Sequence, residues 1–463
     1  MRTARMRRPG RKIAEEIGTC SSRCDAGGRP SRCVKRSHCR RATSSPWPCT
    51  WTTGTPHTRR FATPAGFPTG KKTRSPELGD ALLDPAVIER AAAKLTGLED
   101  FGGDDWREAL GVLLGAIETE AELPDAGRRL VHGEMVGHLV NRLEIQHWVE
   151  RHPEIRNEVI AAPLVIATLP RTGQTAAGWL MHRDPGNRSL ISWQAKRPCP
   201  PPGLGVAADD PRIVKARAAA AATPAELRAM HLTGAEEPDE CHWLLSNACR
   251  TPHQIYAMRV PSHYAWARAA AMRSAYVYHR LQLQLLQWRL PPARWVLKNS
   301  PHLLFLEDLA AVYPDAHFVQ FHRDPLEILA SNCSLALFLR RMRSEAVDPH
   351  EIGESILRLL CDYVEALLRF RRAPGARPWI DVAYTDFIAD PLREVERIYG
   401  AAGISMSPET RTRMAKWIEE NPRGRHGRHE YHLAPFGIER ERARACFAEY
   451  CEVYCVPFGG SPA

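Results

Sequence analysis

Arg171 and Arg323 are the residues of this chain best placed for chemistry, because each stands in a loop that joins a strand-like run to a helix. The first loop, Thr168-Leu169-Pro170-Arg171-Thr172-Gly173-Gln174-Thr175, follows the apolar run Pro163-Leu164-Val165-Ile166-Ala167. The second, His322-Arg323-Asp324-Pro325, follows Ala316-His317-Phe318-Val319-Gln320-Phe321 and has Ser331 eight positions after its arginine. A strand, a tight turn and a helix N-terminus gather free backbone N–H groups that attract anions. Two such loops, each with a guanidinium, predict a ligand with two separate anionic groups. Taken alone, Gly173 would be no more than a turn residue; Arg171, Arg323 and Ser331 at their spacings favour a ligand.

The elements that must hold these loops can be read from periodicity. β-rich runs at 163–168, 294–298, 316–321 and 378–384 are separated by long helical stretches, which predicts parallel pairing in an α/β layer fold. Apolar residues recurring at three and four predict helices over 81–97, 105–121, 126–151, 210–231, 253–290 with a break at Pro261, 302–312, 325–342, 350–372, 390–402, 407–420 and 438–454. Asp184-Pro185-Gly186-Asn187 reads as a turn, and Cys199-Pro200-Pro201-Pro202-Gly203 as a rigid loop.

Charge divides the chain unevenly. Residues 1–75 hold 18 Lys/Arg against 3 Asp/Glu, a net of +15, while the whole chain is +10, so the remainder is at −5. The basic character therefore belongs to the tail, and the body gives no reason to expect a nucleic-acid partner. The tail has no leucine before Leu78 and too little apolar surface to offset the entropy of ordering, so residues 1–77 are expected to be disordered, or a misassigned start. A zinc site from Cys20, Cys24, Cys33, Cys39 and His38 matches no strong spacing. The eight later cysteines are expected to be reduced core residues. No apolar run reaches the ~18 residues of a membrane span, and no secretory signal follows the basic start, so a cytoplasmic location is expected.

A P-loop NTPase would need G-x-x-x-x-G-K-[ST], with the lysine on the β/γ-phosphates. Here Thr168 stands for the first glycine and Gln174 for the lysine, and no aspartate closes the 316–321 strand to hold Mg²⁺. The positive charge comes from Arg171 instead. Leu169-Pro170-Arg171-Thr172-Gly173-x-Thr175 resembles the 5′-phosphosulfate loop of sulfotransferases that use 3′-phosphoadenosine-5′-phosphosulfate, in the bacterial form G-L-P-R-[ST]-G-T-T. His322-Arg323-Asp324-Pro325 with Ser331 looks like the family's 3′-phosphate motif, and Trp295-Val296-Leu297-Lys298-Asn299-Ser300-Pro301-His302-Leu303 is similar to its W-V-L-K-x-P-x-H-L segment. Tyr384-Thr385-Asp386 with Asp390-Pro391-Leu392 resembles its Y-x-D…D-P-L stretch, and His429-Glu430-Tyr431-His432-Leu433 with Phe436-Gly437 its C-terminal H-x-Y-x-L…F-G. These segments occur in the family's order over about residues 78–458.

The resemblance implies a P-loop-like parallel sheet flanked by helices over residues 78–460, with phosphoadenosine phosphosulfate as co-substrate and no metal. It implies Arg171, Lys298 and His302 as catalytic groups, and Arg171, Thr172, Gly173, Gln174, Thr175, Arg323, Ser331 and Tyr384 as donor-binding groups. Charge developing on the leaving phosphate oxygen would be stabilised by Arg171, Lys298 and loop N–H groups, one such donor being commonly worth ~3 kcal/mol. The Arg423-Gly424-Arg425 segment is a further candidate by family position, and with Arg428 is otherwise an ordinary solvated charge run. Where the bacterial branch has a Trp-Glu pair at its base position, this chain has Trp193-Gln194. Glutamine cannot take a proton, so His302 is the first substitute expected, with Glu240 and His242 as further options. The partner is a small-molecule, glycan or lipid acceptor, walled by 204–290 and 325–342. The alternatives are a relative that binds the nucleotide without turnover, a P-loop NTP-dependent enzyme, and a nucleic-acid binder acting through the tail.

Overall fold

Apolar side chains at consecutive positions, as in Leu164-Val165-Ile166, suit a strand buried on both faces, and both faces are covered here. A computed structural model describes residues 82–230, 234–375, 377–422 and 432–459, all within the unit Thr73–Ala463. The 1–77 tail with its cysteines and His38, the Arg423–Arg428 segment and His429-Glu430-Tyr431 lie outside the described residues. Five parallel strands, β1 (Leu164–Ile166), β2 (Asn187–Ser189), β3 (Arg294–Lys298), β4 (His317–His322) and β5 (Ile380–Ala383), form one sheet in the order β2-β3-β1-β4-β5. Leu164 pairs with Val296 on one side and His317 on the other, so β1 is central.

Alternation divides the strand residues between two layers. Leu164, Ile166, Val319 and Val382 join a cluster with Ala177, Leu180, Val395 and Met414. Val165, Ala167, Leu297 and Phe318 face the opposite layer, built by helices that include Arg273–Gln287, Pro325–Arg341 and Pro349–Arg372. Helices Pro85–Thr96, Asp105–Glu120 and Asp125–Arg151 form a third cluster around Trp106, Leu110 and Leu139. Four of the five strands stand where periodicity placed them. The stretch read as one helix over 210–231 is two, Pro211–Ala221 and Ala225–Met230; 253–290, read with a break at Pro261, is three, Gln254–Ala257, Pro261–Ala269 and Arg273–Gln287, the second starting at that proline.

The reduced state expected of all eight later cysteines is corrected at one pair: Cys361 and Cys446 form a disulfide between helix Pro349–Arg372 and helix Arg440–Tyr454. The docking of these helices sets the Cα atoms 5.7 Å apart, a proximity that no local spacing reveals. Cys199, Cys241, Cys249 and Cys333 are free and buried. Among the described residues, no helix is long and apolar enough to cross a membrane.

Candidate active site

Each sequence-predicted segment leaves the sheet at the carboxyl end of a strand. The loop 167–173 follows β1, Lys298 ends β3, Arg323 follows β4 and Tyr384 follows β5. The connection out of β1 runs toward β2 on one side of the sheet and those out of β3 and β4 run toward the other, and such a switch point is where open α/β sheets hold ligands. Helix Gln174–Met181 begins at Gly173, whose φ of 92° a side chain would strain, and no described side chain caps it. Arg171 also holds a left-handed φ, at 65°. Backbone strain at a non-glycine residue in a ligand loop must be held by its contacts, and these are abundant.

The two arginine loops meet. The Arg323 guanidinium donates to the Arg171 carbonyl at 2.7 Å, and the Arg171 Nε donates to the Ser331 hydroxyl at 2.9 Å. Arg323 also lies 4.3 Å from the Tyr384 ring centroid and pairs with Glu327 at 2.5 Å. A Cβ added to Gly173 would come within 3.5 Å of the same Tyr384 ring. Arg171, Gly173, Arg323, Ser331 and Tyr384 thus form one cluster. The sequence reading paired Arg323 with Ser331 and sent Arg171 to the other anion; the Arg171 side chain instead turns toward Ser331.

The second loop departs from the expected cradle of free N–H groups. The Asp324 carboxylate accepts from Leu326 N at 2.9 Å, capping helix Pro325–Arg341, and from Gly459 N at 2.8 Å. The Leu326 N–H at this helix start is therefore taken by the cap. Two hydroxyl and amide roles also change. Thr172 is fully buried and donates to the Leu169 carbonyl at 2.8 Å, with the Thr168 hydroxyl 3.2 Å away. Thr168 in turn donates to the Phe321 carbonyl at 2.7 Å, so the side chain in place of the family glycine ties the loop to β4. Gln174 donates to the Ser300 hydroxyl at 3.0 Å, linking the loop to the end of β3. Thr172 and Gln174 therefore brace the loop with their side chains. Thr175 remains half-buried at the start of the helix.

Lys298 is buried, its stem lies over Gly178, and its Nζ is 3.3 Å from the Glu240 Oε1. Glu240 is held beside it because the Cys241 N–H donates to the Lys298 carbonyl at 3.0 Å. His302 is fully buried, and its Nδ1 is 2.8 Å from the Tyr276 hydroxyl. Burial first, then the neighbouring His279, holds this imidazole well below its ordinary range. An imidazole so placed is a poor proton acceptor for a ligand in the crevice, which counts against the role expected of His302. Sequence reasoning missed the buried Tyr256, whose hydroxyl donates to the Asn332 Oδ1 at 3.2 Å, and the buried Tyr363. Burial and then the Glu240 charge push the Tyr256 phenol up. Neither position carries a local pattern to distinguish it from core.

The family model described as the sulfotransferase family matches residues 163–408, a span that begins at β1 and ends past β5. The chain belongs to the sulfotransferase family. It is similar to the crystal structure of sulfotransferase STF1 from Mycobacterium tuberculosis H37Rv, at 33% identity over 79% of this chain and 98% of that one, with a TM-score of 0.70. It is also similar to sulfotransferase STF9 from Mycobacterium avium, at 28% identity over 81% of this chain and 98% of that one, with a TM-score of 0.75. No curated protein matches the chain. This sulfotransferase thus has the α/β fold and the enzyme class that its loops imply.

Proposed function

We propose that this sulfotransferase takes its sulfuryl group from 3′-phosphoadenosine-5′-phosphosulfate and passes it to a hydroxyl or amine acceptor, within a catalytic unit spanning residues 78–460. The observation that carries the donor assignment is the meeting of Arg171, Arg323 and Ser331 in one cluster, with buried Lys298 at the carboxyl end of the strand beside β1. A donor with phosphate groups at both ends of a ribose needs two cationic stations, and these are two. Arg171, Arg323 and Ser331 suit the 3′ phosphate, since guanidinium and hydroxyl donors make strong charge-assisted bonds to it. Lys298 and the N–H groups at the start of helix Gln174–Met181 suit the phosphosulfate. Tyr384, packed between Gly173 and Arg323, offers a ring face beside the nucleotide.

The donor supplies an activated sulfur; the chain must hold it and stabilise charge on the oxygen that departs. A fixed ammonium in a buried crevice does this without reorganisation at the moment of reaction. The cations assigned here are side chains. The acceptor is a hydroxyl-bearing small molecule, glycan or lipid. A second reading, donor binding without turnover, rests on Gln194 at the family's base position.

The test is transfer of radiolabelled sulfuryl from the donor by Lys298→Ala. The expected result is a loss of about 10²–10³-fold in kcat. Unchanged kcat would remove Lys298 from the chemistry, and a parent protein that binds the nucleotide without transferring sulfate would favour the second reading.

A further inference from the structure

The acceptor hydroxyl must give up a proton, and neither the residue at the family's base position nor the first substitute expected for it is placed to take it. Gln194 has no basic atom, and His302 is sealed in the core against Tyr276. We infer that Glu240 is the base that receives this proton, an inference that rests on the sulfuryl-transfer reading above.

Position is the first support. Asp239 N donates to the Leu190 carbonyl at 2.7 Å and Cys241 N to the Lys298 carbonyl at 3.0 Å. Residue 240 is therefore pinned between the segment after β2 and the carboxyl end of β3, at the end of the sheet where both arginine loops lie. Accessibility is the second. The Glu240 side chain keeps 12% of its exposure, whereas that of Lys298 keeps 4% and His302 is at 0%. Neighbours are the third. The groups facing Glu240 are Lys298 on β3, Asp239 and Cys241 along its own segment, His242 with Nδ1 at 3.9 Å, Tyr256, Tyr363 and His302. Burial pushes Cys241 up to about 12 and raises both phenols, in part through the Glu240 charge. Those groups stay protonated at neutral pH. The carboxylate is then the basic oxygen nearest Lys298.

The step balances as follows. A bond forms between the acceptor oxygen and sulfur, while the bond from sulfur to the 5′-phosphate oxygen breaks and its electron pair leaves with the phosphate. The acceptor proton passes to a Glu240 carboxylate oxygen and returns to water after the sulfated product departs. Before the donor binds, the Lys298 ammonium lies 3.3 Å from that carboxylate. Negative charge at the leaving oxygen competes with Glu240 for that ammonium.

The experiment compares the full chain with Glu240→Gln and Glu240→Asp. Calorimetry with 3′,5′-bisphosphoadenosine comes first, then labelled sulfate transfer to 4-nitrophenol and to water across pH 5–9. Nucleotide affinity should stay within a few-fold in both variants. Glu240→Gln should lose about 10²–10⁴-fold in transfer to water, the range for a positioned base. Its loss should be far smaller with 4-nitrophenol above pH 8, where that acceptor is already ionised. Glu240→Asp should recover part of the rate. If the parent fails to bind the nucleotide, the donor reading itself falls. If it binds but Glu240→Gln keeps its rate, if both acceptors lose equally, or if the parent transfers to neither acceptor, Glu240 is not the base.

Discussion

Side-chain direction, more than residue type, decides what each loop residue does. Thr172 stands where a phosphate-binding hydroxyl was expected, but its hydrogen is committed to the Leu169 carbonyl inside a fully buried loop. Thr172→Val should therefore act on stability. Removing the donor leaves a buried carbonyl unsatisfied, at a cost of about 1–3 kcal/mol, readable as a lower urea midpoint with nucleotide affinity nearly unchanged. A large affinity loss at unchanged stability would return Thr172 to the ligand. Arg171 and Arg323 stood out along the chain because charge placed after a strand has few structural uses, whereas Lys298 stood out by the family resemblance. Residue types did not reveal which atoms Thr172, Gln174 and Arg171 would touch, since Ser331, Ser300 and Leu169 are chosen by the folded loop. His302 shows the same limit: its type fits a base, and its burial against Tyr276 was invisible along the chain.

Elements behave differently, because period and apolar content are local. β1, β3, β4 and β5 were legible as apolar or β-rich runs between helices. β2 was not, since Asn187-Arg188-Ser189 has neither β-branched residues nor apolar alternation and follows a turn; it is a strand by virtue of pairing with β3. The junction of β4 and β5 carries the clearest pH dependence. Asp381 pairs with Arg371 at 2.6 Å and with the His322 Nε2 at 2.8 Å, and His322 adjoins Arg323. Burial works to raise this carboxyl, but Arg371 and then His322 hold it down to about 2 from an ordinary 3.8. A folded value below the unfolded one gives stability that is full above about pH 4 and lost as pH falls toward 2. Asp381 is 40% exposed, so solvent screening trims the effect to about 1 kcal/mol. Asp381→Asn should flatten that part of the acid denaturation curve; an identical slope in parent and variant would show that the pairing is not formed in solution.

At the scale of the whole molecule, the site exists because strand order brings distant loops together. Parallel pairing of β1 with both β3 and β4 places the ends of three strands side by side, and with them Arg171, Lys298 and Arg323. That order was not legible: alternating strands and helices imply a parallel sheet, yet many strand orders satisfy the alternation. The long-range disulfide between Cys361 and Cys446 was hidden for the same reason. What the order brings together is cationic side chains at the ends of three neighbouring strands, the two stations proposed for the donor. The most direct measurement of that claim is calorimetric titration of the parent and of Arg323→Ala with 3′,5′-bisphosphoadenosine and with ATP. The account predicts that the parent prefers the bisphosphate and that Arg323→Ala weakens it by roughly 10- to 100-fold, as expected for loss of hydrogen bonds to a charged group. A preference for ATP, or an affinity for the bisphosphate that Arg323→Ala leaves untouched, would contradict it.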